Sequence, residues 1–65
     1  KSEAPSGVGK LTLNMVASRL GKDPSALINI VKDNGITADG ETTMRTIADQ
    51  LGISPHDLYS LLAGE

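Results

Sequence analysis

The chain states one pattern twice, 31 residues apart. Laying Gly9 to Lys32 on Gly40 to Ala63 matches Gly9 with Gly40, Thr12 with Thr43, Ala17 with Ala48, Leu20 with Leu51, Gly21 with Gly52, Pro24 with Pro55 and Leu27 with Leu58. Other apolar positions stay apolar: Leu13 with Met44, Val16 with Ile47, Ile30 with Leu61, Val31 with Leu62. A fixed period of this kind means two copies of one supersecondary unit, neither able to bury its apolar face alone. It constrains architecture and contains no catalytic, metal or nucleotide motif.

Each copy has the pattern of two short helices. In the first, Leu13, Val16, Ala17 and Leu20 fall at i, i+3, i+4 and i+7, one helical stripe. Thr12 precedes the stripe as N-cap, and Gly21 follows where a left-handed C-terminal residue is wanted. Asp23-Pro24 opens the next helix: Asp accepts from free N–H groups of the first turn, and Pro has no N–H to leave unpaired. Leu27, Ile30 and Val31 are its predicted buried stripe, and Asn34-Gly35 ends it.

In the second copy Thr43 starts a helix with the stripe Met44, Ile47, Ala48 and Leu51, which Gly52 terminates. Ser54-Pro55 opens the last helix with Leu58, Leu61 and Leu62 inward, and Ser54 with Asp57 fits a capping box that has Asp in place of Glu. The pattern therefore predicts helices at about Thr12 to Leu20, Pro24 to Asp33, Thr43 to Leu51 and Pro55 to Ala63. The fold class is all-α: four short helices as two tandem pseudo-twofold helix-turn-helix hairpins. Lys1 to Val8, KSEAPSGV, has no periodicity and reads as a flexible linker (1–8). Residues 9–65 read as a single domain of two repeats, 9–35 and 40–63, with Ile36 and Ala38 of the connection plugging the core.

Sixty-five residues are near the lower limit for a core with no metal or disulfide. The absence of Cys removes disulfide, zinc-thiolate and thiol-nucleophile chemistry together. One Tyr, with no Phe or Trp, leaves the core to aliphatic side chains and nearly excludes aromatic stacking on bases or sugars. Charge is uneven: Lys10, Arg19, Lys22 and Lys32 against Asp23 and Asp33 give the first copy a net +2. Arg45 against Asp39, Glu41, Asp49, Asp57 and Glu65 gives Ile36 to Glu65 a net −4. The two halves are thus set to attract each other or to face different partners. No stretch is long and apolar enough to cross a membrane, so no membrane insertion by this segment is expected.

Three residues stand out as candidate interaction residues: Ile28, Tyr59 and His56. Ile28 and Tyr59 are equivalent, each one residue past a core Leu and so about 100° round the helix from it, on the flank of the stripe. Such a pair either forms a seam between the hairpins or stays half exposed as an apolar patch for a partner. His56, the one histidine, stands at the second position of the last helix, with no Ser, Cys or second His spaced for a triad or metal site. Met44 belongs to the core, and Met15, beside the stripe, is expected to fill a gap.

The runs TLNMVASRLGKDPSALINIV and TMRTIADQLGISPHDLYSLL place small, turn and core residues as DNA-binding helix-turn-helix units do. A groove-reading helix also needs Arg, Lys, Asn or Gln at its exposed N-terminal positions. Those positions here are Asp23, Pro24, Ser25, Ile28 and Asn29, and Ser54, Pro55, His56, Tyr59 and Ser60. The acidic second half opposes a phosphate backbone.

The Gly-x-x-Thr start, the Ile-Ala-x-x-x-Gly turn and the closing Pro-His-Asp-Leu-Tyr resemble a small helical module, of no established activity, at the C-terminal end of some bacterial cytochrome-like multi-helix membrane proteins. The likeness runs over about Gly9 to Leu62 and is clearest in GITADGETTMRTIADQLGISPHDLYSLL. VASRLGKDPSALINIVKDNGI is also similar to the small N-terminal module of bacterial translation initiation factor two, over the first repeat alone. Neither resemblance supplies a catalytic residue.

The sequence reading is thus a non-catalytic helical docking or regulatory module of a larger bacterial protein, with a helix-turn-helix DNA-binding domain as the alternative. It assigns no catalytic residue, no cofactor and no metal. A protein partner or other domains of the parent chain are the expected ligands, nucleic acid is disfavoured, and a monomer is expected. The compartment is left unassigned, a cytoplasmic module tethered to a membrane domain of the parent being one option.

Overall fold

The computed structural model describes residues 6–64, and these form an all-α fold. A single turn of 3-10 helix, Val8–Lys10, is followed by α1 (Leu13–Leu20), α2 (Pro24–Asp33), α3 (Met44–Leu51) and α4 (Pro55–Ala63). α1 packs on α2 and α3 on α4, while the 3-10 turn packs against both helices of the second hairpin. The helices run 8 to 10 residues, too short to persist alone in water, so tertiary packing holds them.

The repeated residues act alike in the backbone. Thr12 Oγ1 accepts from the Met15 N–H at 3.3 Å, and Thr43 Oγ1 from the Thr46 N–H at 3.4 Å, each satisfying one free donor of a helix start. Gly21 (φ 66°) and Gly52 (φ 73°) are left-handed at the ends of α1 and α3, where an L side chain is strained. The next N–H groups fold back to the last helical turn, Lys22 to Ala17 O at 2.9 Å and Ile53 to Ala48 O at 3.1 Å. Pro24 and Pro55 each open their helix, but the caps before them differ. Asp23 Oδ1 accepts from the N–H and the hydroxyl of Ser25, whereas Ser54 Oγ accepts from the Asp57 N–H at 3.1 Å.

The copies also meet at their helix starts. Thr12 and Thr43 form an isolated antiparallel bridge: the Leu13 N–H donates to Thr42 O at 3.1 Å, and the Met44 N–H to Leu11 O at 2.8 Å. The repeated glycines Gly9 and Gly40 sit where the other copy comes close. A Cβ on Gly40 would collide with the Asn14 amide, and one on Gly9 would meet Pro55 and Arg45. Asn14 fixes the approach with its N–H on Gly40 O and its Nδ2 on Glu41 Oε1.

One core joins both copies: Val8, Leu13, Val16, Ala17, Leu27, Val31, Ile36, Met44, Ile47, Ala48, Leu58, Tyr59 and Leu62. Ile36 is buried and Ala38 packs against the core, as expected of the connection. Four placements correct the sequence reading. Val8 is 1% exposed and belongs to the domain rather than to the predicted linker, whose first five residues lie outside the described ones. Leu61, expected inward, is exposed, while its neighbour Tyr59 is buried. Met15 is exposed rather than filling a gap. Leu20, Ile30 and Leu51, expected in the buried stripes, are half-buried, Leu20 and Leu51 as the last residues of their helices and Ile30 on the flank of its own.

Candidate functional site

α2 and α4 show how the candidate interaction residues are set. In α2 the buried pair Leu27 and Val31 is flanked on both sides by half-buried residues, Ile28 and Ile30. In α4 the buried face is Leu58, Tyr59 and Leu62, which turns Leu61 outward. Successive residues are about 100° apart, so burying Tyr59 rotates the apolar face away from Leu61. The reason lies in the N-terminal turn, which packs on α4 and brings a buried Val8, so that α4 has an apolar neighbour besides α3.

The equivalent pair therefore splits. Tyr59, at 5% exposure, belongs to the core and is withdrawn as a docking residue, whereas Ile28 keeps a partly open edge. His56 is exposed, one residue after Pro55 in the first turn of α4, and Asp57 beside it is the acidic residue of that turn. The three differ in burial: Tyr59 is buried, Ile28 half-buried and His56 exposed.

The large apolar side chains left to solvent are Met15 in α1, at 52% exposure, and Leu61 in α4, at 39%. Leu61 lies in the last turn of α4, where Lys22 from the α1–α2 turn donates its Nζ to Leu62 O at 2.9 Å. An ammonium there satisfies a free carbonyl of the helix end and sits favourably at the negative end of the helix dipole. Every buried side-chain nitrogen or oxygen among the described residues has a hydrogen-bond partner. The described residues enclose no cavity, and they hold no cluster of three or more His, Cys, Asp or Glu that could bind a metal.

No protein-family model, curated protein or solved structure matches the chain. No helix among the described residues is long and apolar enough to cross a membrane.

Sequence reasoning missed Met15 and Leu61 as surface residues for one reason. Both lie beside stripe residues, and helical periodicity gives a stripe its spacing without giving its centre. A signal was present for Met15, since its equivalent is the polar Thr46. For Leu61 there was none, because its equivalent Ile30 is equally apolar.

Proposed function

We propose that this domain is a non-catalytic docking or regulatory module of a larger bacterial protein, one that holds other domains of its parent chain against its helical surface. The observation that carries this reading is the exposure of Met15 and Leu61 on a domain so small that nearly every large apolar side chain is needed inside. An exposed Met is an adaptable contact residue that fits irregular partners. The resemblance to the C-terminal module of cytochrome-like membrane proteins supports the same reading and adds the tether: the module would lie beside the membrane domain. The lesser likeness to the N-terminal module of translation initiation factor two also describes an appendage, on a different parent.

The test is binding of the domain to the remainder of its parent chain, supplied separately and followed by calorimetry or NMR titration. Met15→Ser with Leu61→Ser is expected to abolish binding while leaving the unfolding midpoint nearly unchanged. Binding that survives the double substitution contradicts the assignment of these two side chains as the contacts.

DNA binding is the second reading, favoured by the paired helix-turn-helix hairpins. Against it, Tyr59 is buried and cannot read a base, and Asp57 and Asp23 occupy the helix starts that would face phosphate. Titration with a random-sequence duplex at low salt separates the two readings: tight binding that weakens steeply as salt rises would establish DNA as the ligand.

A further inference from the structure

The contact between the two copies is reciprocal. Leu13 and Met44 are equivalent under the 31-residue offset, and so are Leu11 and Thr42. The bond from Leu13 N–H to Thr42 O therefore has its counterpart in the bond from Met44 N–H to Leu11 O, with the equivalent pair Thr12 and Thr43 between them. The glycines follow the same rule. Gly9 is approached by Arg45, and Gly40 by Asn14, the residue equivalent to Arg45. A contact in which residue i meets j while the equivalent of j meets the equivalent of i is the pattern of an isologous dimer interface.

We propose that a second copy of this chain is a partner for this interface, through exchange of halves. The half ending at Ile36 in one chain pairs with the half beginning at Asp39 in the other, and the reverse pairing completes the dimer. The segment between is suited to be the hinge. Ile36 is tied back to α2 by its N–H on Val31 O at 3.0 Å. Asp39 is tied forward by its N–H on Thr42 Oγ1 at 3.1 Å. Between them Thr37 is exposed and non-helical, and the half-buried Ala38 is the core contact that opening has to release. Opening the chain at Thr37 and Ala38 leaves both ties intact, and the exchanged dimer reforms every contact that crosses between the halves, including Lys22 on Leu62 O. The closed monomer wins in dilute solution because its halves are held at a high effective concentration, and the exchanged dimer gains as protein concentration rises. This inference is independent of the docking reading, since it uses the inner face of the halves and not Met15 or Leu61.

The experiment uses the whole 65-residue chain. The hydrogen bonds flank Thr12 and Thr43 without joining them, a pairing that sets the two Cα atoms about 4.5 Å apart. That separation is within reach of a disulfide. Thr12→Cys and Thr43→Cys chains are mixed in denaturant, refolded together at high concentration, oxidised and weighed by mass spectrometry. The expected product is the covalent heterodimer, in excess over random pairing. Wild-type protein refolded the same way is expected to show, by light scattering, a species of twice the monomer mass. A chain carrying both cysteines, refolded dilute, is expected to close its disulfide internally. Random pairing in the mixture, only monomer in the wild type, or failure of the internal disulfide each overturns the proposal.

Discussion

Thr12 and Thr43 lie 31 residues apart and do the same work, whereas Val8 and Asp39, also 31 residues apart, do opposite work. Both residues of the second pair open a turn closed in the same way, Leu11 N–H on Val8 O and Thr42 N–H on Asp39 O, each at 3.1 Å. Val8 then sinks into the core. Asp39 stays exposed, and its Oδ1 accepts from the Glu41 N–H at 2.9 Å and from the Thr42 hydroxyl. The repeat thus preserves what closes the backbone and frees what the side chain does beyond it. One turn is held by hydrophobic burial and the other by local hydrogen bonds, two routes to the same geometry.

The largest effects are expected where the copies are equal. Leu13→Ala and Met44→Ala remove equivalent side chains that are fully buried, and each should cost about 2–5 kcal/mol in denaturant unfolding. A domain of this size holds only a few kcal/mol in all, so either change should leave it largely unfolded. A small loss at one site with a large loss at the other would break the equivalence.

Val8→Ala and Asp39→Ala sharpen the contrast. Val8→Ala should cost about 1.5–3 kcal/mol, the worth of a buried Val, and Asp39→Ala only about 0.5–1.5 kcal/mol, that of a local hydrogen bond. Equal losses would contradict the two-route account. The left-handed turn residues should again behave alike: Gly21→Ala and Gly52→Ala should each cost about 1–2 kcal/mol, since a Cβ is strained there although it meets no neighbour within 4 Å. The smallest effect is expected from Lys22→Ala. It removes the cation at the end of α4 and should cost about 0.3–1 kcal/mol, less at high salt, with no equivalent loss at Ile53.

The four helices were legible because their signals are local: Thr12, Thr43, Asp23 and Ser54 start them, and Gly21 and Gly52 stop two of them. The stripe centres were less legible, because they depend on what packs across the helix. Tyr59 is buried and Leu61 exposed on account of a turn at the other end of the chain, which the sequence of α4 does not contain. Val8 escaped for a related reason: it stands alone among Pro, Gly and Ser, where no periodicity marks it. The candidate interaction residues were read from the same flank positions, and so only Ile28 and His56 keep exposed surface.

Native-state amide hydrogen exchange at Leu13 and Met44 tests most directly whether the two copies form one cooperative unit. Both N–H groups are tied across the bridge, to Thr42 O and Leu11 O, so both should exchange only by global unfolding, with equal protection that matches the unfolding free energy. Fast exchange at either amide while the helix interiors stay protected would show that the copies open independently, and would contradict the account.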